Sequence, residues 1–404
     1  MMIPYARQSI SEDDIAAVTR VLRSDFLTQG PEVSAFEAEM AETVGAGYGV
    51  ALSSATAGLH LACLALGLKP GDWLWTSPIT FVASANCARY CGAHVDFVDI
   101  DPRTYNLCPV ALASRLEEGE KTGRLPKIVV AVHLAGQSCE MEKIHALGRR
   151  YGFRIIEDAA HAVGADYQGR PVGACMYSDC TVFSFHPVKI MTTGEGGMVL
   201  TQDGELAARI RRMSTHGITR QADLLTQNDG PWYYEQLELG YHYRLTDIQA
   251  ALGRSQLKRL PDFIRRRREL ARRYATLLED LASPQGGDIT LPWQHPDTTS
   301  SWHLYILRLK GLADDTGISN HDAERERRLK VFQALRAAGL GVNLHYIPVY
   351  RQPDFASSQP YSFCPAAEDY YRQAFTIPLY FGLSDDQQDQ VCDILRSVLA
   401  VRTS

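Results

Sequence analysis

Long hydrophobic runs, an excess of basic charge and closely paired cysteines are all missing from this 404-residue sequence. The longest nearly apolar run, residues 55–68, is interrupted by His60 and is too short to span a bilayer. There are 41 basic and 47 acidic residues, and the net charge of −6 argues against a nucleic-acid-binding surface. No basic segment followed by an apolar stretch stands near Met1, so we expect no signal peptide, no membrane association and a cytoplasmic location.

Metal-binding and glycine-rich nucleotide motifs are missing as well. The nine cysteines are scattered, and pairs such as Cys87 with Cys91 lack the spacing of a structural zinc site. We therefore expect reduced, mostly buried thiols. Neither H-E-x-x-H nor the phosphate-binding patterns G-x-G-x-x-G and G-x-x-x-x-G-K-[ST] occurs, so we expect no metal and no dinucleotide or P-loop site.

The first half of the chain alternates between short β-rich runs and helical stretches. Strands are predicted over 48–52, 95–100, 128–132, 154–157, 181–185 and 198–201, and helices over 55–66, 81–90, 141–151 and 206–213. This alternation predicts a large α/β domain with a mixed, mostly parallel sheet that is covered on both faces. No helix separates the last two strands, so residues 194–197 are predicted to turn a hairpin.

The second half predicts a smaller domain of another kind. A long helix is expected over 246–281, with Pro261 as a kink, followed by strands at 304–309 and 342–347 and helices at 328–338 and 385–399. We therefore predict an N-terminal arm (1–10), a large α/β domain (11–250), and a long linking helix with a small C-terminal α+β domain (251–404).

Three segments carry residues that could bind or react with a ligand. In the first, residues 52–57, a strand ends and a helix begins among small and hydroxyl side chains. Backbone amides at a helix N-terminus hold anions, and Thr56 adds a hydroxyl donor. The alternative is simple N-capping by Ser53 or Ser54.

The second segment, residues 155–161, ends an apolar strand with Glu157 and Asp158. Open α/β sheets bind ligands at this edge, where a carboxylate can pair with a protonated ring nitrogen. Because strand side chains alternate, Asp158 shares its side with Ile156, and Glu157 does not. The alternative is a solvated loop acid or a helix cap.

The third segment, residues 183–189, brings Lys189 from a buried strand into a loop. Desolvation lowers a lysine pKa and so favours the free amine that forms a Schiff base, although most loop lysines are merely solvated. Ser184 could donate to the same anion as Thr56. Taken in order, the segments predict a phosphate cup, an acid for a ring nitrogen and a Schiff-base lysine.

With these residues the chain resembles the DegT-type nucleotide-sugar aminotransferases, which have the aspartate-aminotransferase (type I) fold of pyridoxal 5′-phosphate (PLP) enzymes. The resemblance covers nearly the whole chain. It rests on the segments 27–31 (LTQGP), 54–57 (SATA), 78–83 (PITFVA), 157–161 (EDAAH), 184–189 (SFHPVK), 194–197 (GEGG) and 243–249 (YRLTDIQ).

Less specific similarities lie with one branch of that family. Residues 3–5 (IPY), 133–136 (HLAG), 191–193 (MTT) and 344–348 (LHYIP) resemble the transaminases that make UDP-4-amino-4,6-dideoxy-N-acetyl-β-L-altrosamine for pseudaminic acid. The resemblance implies amino transfer from L-glutamate to a UDP-linked 4-keto sugar. It also implies a homodimer with shared active sites.

The resemblance further implies a role for each residue of the site. Lys189 would carry PLP and move the proton, Asp158 would pair with the ring nitrogen, and His161 would lie near one ring face. The other cofactor-binding residues would be Ala55, Thr56, Phe81, Ser184 and His242, the last from the partner subunit and in a place where the family has asparagine. The sugar nucleotide would meet Tyr5, Phe26, Leu27, Thr28, Gln29, Arg244, Asn343, Leu344, His345 and Tyr346.

Two alternatives to this function remain open from the sequence. One is an aminotransferase for another nucleotide-linked 4-keto or 3-keto sugar, because one-epimer differences change binding energy little. The other is a non-catalytic, PLP-binding regulatory protein on the same fold. Relatives that dehydrate sugars have histidine in place of the lysine, so Lys189 favours transamination.

Overall fold

A computed structural model of the chain describes residues 2–283, 287–311, 320–356 and 364–400. Ser11 and Asp14 form a capping box at the start of the first helix, and Pro31 opens the second. The helices are α1 Glu12–Leu22, α2 Pro31–Val44, α3 Ala55–Ala65, α4 Ala83–Tyr90, α5 Pro109–Thr122, α6 Met141–Tyr151, α7 Gly204–Ser214, α8 Asp247–Leu277, α9 Glu279–Ala282, α10 His321–Ala337, α11 Pro353–Ala356, α12 Pro365–Gln373 and α13 Asp385–Ala400.

Short 3₁₀ turns at Leu134–Gly136, Ala222–Leu224 and Val349–Arg351 complete the helical elements of the described ranges. Over the same ranges, no helix combines the length and apolar character needed to cross a bilayer. The strands are β1 Tyr48–Leu52, β2 Trp73–Thr76, β3 His94–Phe97, β4 Ile128–Val132, β5 Arg154–Asp158, β6 Asp166–Tyr167, β7 Arg170–Pro171, β8 Cys180–Ser184, β9 Gly197–Thr201, β10 Ile218–Thr219, β11 Glu235–Gln236, β12 Ile289–Thr290, β13 Thr298–Thr299, β14 Tyr305–Leu309 and β15 Ala374–Ile377.

The central sheet has seven strands in the order β1-β9-β8-β5-β4-β2-β3. Strands β3, β2, β4, β5 and β8 are parallel, whereas β9 runs antiparallel to both β8 and β1. The prediction of a mixed, mostly parallel sheet is confirmed. The last two strands pair antiparallel as expected, but their connection spans 185–196 rather than a four-residue turn, and it carries Lys189.

Several elements differ from the sequence-based prediction. Strand β2 and helix α5 were not predicted, although β2 lies inside the sheet between β4 and β3. The strand expected at 342–347 is wrong, because only Asn343 forms a bridge, with Thr376 of β15. The residues just before this segment pair with the N-terminal arm: Gly341 N donates a hydrogen bond to the Ile3 carbonyl at 2.7 Å.

Helix α8 connects the central sheet with the smaller sheet β12-β14-β15. Thr246 and Gln249 form its capping box, and the helix runs through Pro261 without a break. Leu257 and Phe263 pack in the core that contains Phe183 and Phe185, whereas Tyr274 packs in the core of the smaller sheet. No disulfide joins the nine cysteines, all of which lie in the described ranges, and eight of them are buried.

Candidate active site

A cavity of about 480 Å³ opens where β5 and β8 end and α3 begins. This is the carboxyl edge of the parallel strands, where sheets of this kind bind ligands. The cavity brings together twelve of the residues that the sequence predicted for the site, namely Tyr5, Ala55, Thr56, Phe81, Asp158, His161, Ser184, Lys189, Asn343, Leu344, His345 and Tyr346.

The amino end of α3 forms one wall of this cavity. Ser54 is the N-cap, and its Oγ accepts a hydrogen bond from the amide of Ala57 at 3.1 Å. The amides of Ala55 and Thr56 precede the helical ladder and have no partner in the described part of the chain. Capping and anion binding therefore coexist here, because one amide is capped and two remain for a ligand.

Gly197, at the start of β9, lets the hairpin approach this helix end. A Cβ atom at this position would lie 2.4 Å from Ala55 N and 2.5 Å from the Ser54 carbonyl carbon. Contacts this short require a shift of the backbone. The glycine thus fixes how closely the first turn of α3 lies against the sheet.

The two acids at the end of β5 point to opposite faces of the sheet. Asp158 lines the cavity, and its Oδ1 accepts a hydrogen bond from Ala160 N at 3.1 Å. Glu157 is buried on the other face, where His133 Nε2 and Thr181 Oγ1 lie 2.7 and 3.2 Å from its carboxylate. This confirms the prediction that the side chains of Glu157 and Asp158 point to opposite sides of the strand, and Asp158 is the acid that can contact a ligand.

Lys189 lies in the β8–β9 connection, where its amide donates to the His186 carbonyl at 2.9 Å. Burial lowers the pKa of its amine from 10.5 to about 8, while the negative charge of Asp158 acts in the opposite direction. Near neutral pH a lysine with this pKa has a much larger free-amine fraction than an ordinary lysine. It is therefore suited to attack a carbonyl group.

His161 is held as a neutral imidazole in one tautomer. Its Nδ1 accepts a hydrogen bond from Ala135 N at 3.3 Å, because an amide can only donate. The ring proton is then on Nε2, which lies 3.2 Å from Tyr346 Oη. Burial, reinforced by the charge of Lys189, holds the pKa of His161 well below its usual range. The Tyr346 hydroxyl accepts from His161 and keeps its own proton for another acceptor.

Sequence reasoning missed His303, which lines the cavity beside His161. The two ring centroids are 4.4 Å apart, and His303 is buried. Burial and the neighbouring His161 hold the pKa of His303 well below its usual range, and burial lowers that of His345 to about 3. The cavity therefore has a wall of neutral imidazoles next to Lys189. A histidine directly before the predicted strand at 304–309 carried no signal of this position.

Polar side chains from the segment 343–346, which lies beside β15, form another part of the cavity wall. Asn343 exchanges backbone hydrogen bonds with Thr376, and His345 Nδ1 lies 2.8 Å from the Thr376 hydroxyl. The Tyr5 ring stands 5.5 Å from that of His345, so the N-terminal arm reaches the cavity. Phe81 remains 58% exposed at the mouth, where an aromatic ligand could stack on it.

Six predicted residues do not line the cavity of the single chain. Thr28 pairs with Thr246, and Arg244 pairs with Leu52 and lies 2.9 Å from His242. Their roles remain predictions that depend on a second subunit or on ligand binding. The six are Phe26, Leu27, Thr28, Gln29, His242 and Arg244.

The sequence profile of the DegT/DnrJ/EryC1/StrS aminotransferase family matches residues 8–396. The chain belongs to this family. It is 40% identical over 400 residues to the spore coat polysaccharide biosynthesis protein SpsC of Bacillus subtilis (strain 168), covering 98% of this chain and 97% of that protein. The aminotransferase thus has a relative of nearly the same length.

Solved structures with sugar-related functions have the same fold. Helicobacter pylori PseC, an aminotransferase involved in the biosynthesis of pseudoaminic acid, is 28% identical, with a TM-score of 0.86 over 99% of this chain and all of that one. The PLP form of the putative sugar aminotransferase Spr1654 from Streptococcus pneumoniae is also 28% identical, with a TM-score of 0.84 over 98% of both chains. This protein is accordingly a PLP-dependent sugar aminotransferase with the type I fold.

The residues of the cavity fit PLP. Two unpartnered amides and the nearby Ser184 suit a phosphate, Asp158 suits the ring nitrogen, and Lys189 suits the aldehyde. The exposed face of Phe81 suits the ring itself. Each part of the cofactor thus has a chemically matched group in the described chain.

Gly197→Ala is expected to weaken PLP binding by at least about tenfold, because a Cβ would displace the amides of Ala55 and Thr56. Equilibrium dialysis of the apoenzyme against PLP measures the effect. Gly152→Ala serves as the control. Gly152 has a left-handed backbone (φ 79°), which is strained for an alanine, but the added Cβ would meet nothing within 4 Å. Equal PLP affinity of the two variants would contradict the role given to Gly197.

The rate at which apoenzyme captures PLP covalently is expected to rise with pH up to about 8 and then level off. Only the unprotonated amine attacks, and the pKa of Lys189 is lowered to about 8. Borohydride trapping followed by mass spectrometry gives the rate. An unshifted lysine would instead give a rate that still rises beyond about pH 9. In Asp158→Asn the plateau should begin at lower pH, because Asp158 raises this pKa.

Proposed function

We propose that this enzyme transfers the amino group of L-glutamate to C4 of a UDP-linked 4-keto-6-deoxy-N-acetylhexosamine. The product is UDP-4-amino-4,6-dideoxy-N-acetyl-β-L-altrosamine for pseudaminic acid biosynthesis. The similarity to PseC over the whole chain supports this substrate. The protein acts in the cytoplasm as a homodimer whose two subunits share their active sites.

A second candidate is amino transfer to another nucleotide-linked keto sugar. The 40% identity to SpsC, a protein of spore coat polysaccharide biosynthesis, favours this candidate. The two candidates use the same chemistry and differ only in the sugar. They therefore share the assignment of the catalytic groups.

One observation carries the proposal: an amine with a pKa lowered to about 8 shares a cavity with a carboxylate and a helix amino end. Lysine, aspartate and anion-binding amides are the three groups that PLP chemistry requires. They come from three different segments, β5, the β8–β9 connection and α3. Their convergence is what a transaminase needs.

Bound PLP supplies an electrophilic aldehyde and a ring that accepts the electrons of a broken C–H bond. Asp158 would hold the proton on the ring nitrogen, and the amides of Ala55 and Thr56 would hold the phosphate together with Ser184. Phe81 and His161 would pack against the ring.

Lys189 has two tasks in the reaction. Its amine would anchor the cofactor and, when free, would act as a general base that moves the proton from the α-carbon of glutamate to the cofactor carbon. In the second half of the reaction it would move a proton from that carbon to C4 of the sugar, which sets the new stereocentre. The low pKa of the amine suits both directions of transfer near neutral pH.

The sugar nucleotide binds along the polar wall. Tyr5, Asn343, Leu344, His345 and Tyr346 contact it, and the imidazole of His345 is neutral there. Residues 26–29 meet the nucleotide. Residues 242–244 reach the site from the second subunit, with His242 donating to the cofactor phosphate.

The test is to incubate enzyme, PLP and L-glutamate with a panel of UDP- and dTDP-linked 4-keto sugars. Mass spectrometry and NMR identify the amino sugar that forms. The proposal expects the highest kcat/KM for the UDP-linked 4-keto-6-deoxy-N-acetylhexosamine of the altro product. Preference for another sugar would establish the second candidate, and conversion of none would contradict both.

A further inference from the structure

Two buried hydroxyl groups form a chain of hydrogen bonds that ends at Asp158. Ser84, in the first turn of α4, has its Oγ 2.6 Å from Asp158 Oδ2. Thr80, which precedes the helix, has its Oγ1 2.7 Å from Ser84 Oγ. Ser84 is completely buried and Thr80 is 2% exposed. A serine hydroxyl at hydrogen-bond distance from a cavity carboxylate restricts the orientation of that carboxylate.

The direction of the hydrogen bonds follows from the number of protons. An ionised carboxylate can only accept, so the single proton of Ser84 must be donated to Asp158. Ser84 can then only accept from Thr80, whose hydroxyl donates to it. Both donors therefore point toward the carboxylate, and bonds in such a chain strengthen one another.

Asp158 keeps capacity for a ligand after these bonds are made. A carboxylate has about four acceptor positions, and Ser84 and Ala160 N occupy one on each oxygen. The remaining positions can accept a ring N–H. Bonds to both oxygens also restrict rotation of the group, which fixes the direction that it presents to the cavity.

We propose that Ser84, supported by Thr80, is a positioning residue that holds the Asp158 carboxylate aimed at the ring nitrogen of PLP. The inference rests on the role of Asp158 in the proposed function. Ser84 is not among the described residues that line the cavity, so it acts through Asp158 and does not touch the cofactor. Thr80 lines the cavity edge but uses its hydroxyl on Ser84.

The test measures PLP affinity of the apoenzyme by equilibrium dialysis at neutral pH. Ser84→Ala removes a charge-assisted hydrogen bond and should weaken binding about tenfold or more. Ser84→Thr keeps a hydroxyl group and should restore most of the affinity. Thr80→Val should show a smaller loss than Ser84→Ala.

Cys87→Ala is the matched control for packing. Cys87 lies one turn further along α4, is equally buried, and contacts the Ser84 carbonyl rather than Asp158. It should lower the melting temperature without changing PLP affinity. If Ser84→Ala and Thr80→Val also leave PLP affinity unchanged, or if Ser84→Thr binds PLP as weakly as Ser84→Ala, the inference is overturned. Should Ser84→Ala fail to fold, Thr80→Val alone decides.

The outcome is separable from that of the proposed function. If Asp158→Asn strongly weakens PLP binding while Ser84→Ala behaves like Cys87→Ala, only the positioning role fails. If Asp158→Asn itself has no effect on PLP affinity, the role of Asp158 in the proposed function fails first.

Discussion

Lys189→Ala is expected to lower turnover by at least about 10⁴-fold, because it removes both the nucleophile and the proton carrier. Steady-state assays with L-glutamate and the preferred keto sugar measure the loss. Borohydride reduction should also leave no PLP-modified peptide, whereas the wild type should be modified at Lys189. The amine with a pKa lowered to about 8 is the group on which this expectation depends.

Lys127→Ala is the matched control for that variant. Lys127 directly precedes β4, at the amino end of the sheet, and its Nζ lies 3.0 Å from Asp72 in a partly exposed ion pair. Such pairs contribute about 0–1 kcal/mol to stability, so turnover should be nearly unchanged. Full activity of Lys189→Ala, or labelling at another lysine, would refute the assignment.

The sheet was predictable because local patterns determined most of it. The runs at β1, β4, β5, β8 and β9 are apolar and bounded by polar residues, and their bounds were predicted to within one or two residues. Strand β2 has only four residues, two of them tryptophans, so it shows no alternation of polar and apolar residues by which it could be recognised. The false strand at 342–347 has the right residue types but lacks a paired neighbour, which is a non-local property.

The site was predictable where a motif combined a strand end with a reactive group. Asp158 ends a buried strand, Lys189 follows one, and Ser54 and Thr56 lie at a helix start, so the local sequence indicates where each of them lies in the fold. His303 and Ser84 have no such local signal. Tertiary packing brings them next to His161 and Asp158, and the spacing of residues along the chain does not encode these contacts.

Asp158 and Glu157 allow a direct test of the site, because the side chains of these adjacent acids point to opposite faces of the sheet. Asp158→Asn keeps the shape of the side chain but removes the charge that stabilises a protonated ring nitrogen. We expect kcat/KM to fall on the order of 10²–10³-fold, with weaker PLP binding. The melting temperature of the apoenzyme should change little, because the amide can still bond with Ser84 and Ala160.

Glu157→Gln should give the reverse result. Burial alone would raise the pKa of Glu157, but the hydrogen bond with His133 and those from Ser178 and Thr181 lower it, so the carboxylate is charged in the folded state. Losing that charge should destabilise the protein by about 1–3 kcal/mol, measured by urea unfolding. PLP affinity should be retained, because Glu157 faces away from the cavity. If Glu157→Gln instead lost the cofactor and Asp158→Asn kept it, the facing of β5 and the site built on it would both be wrong.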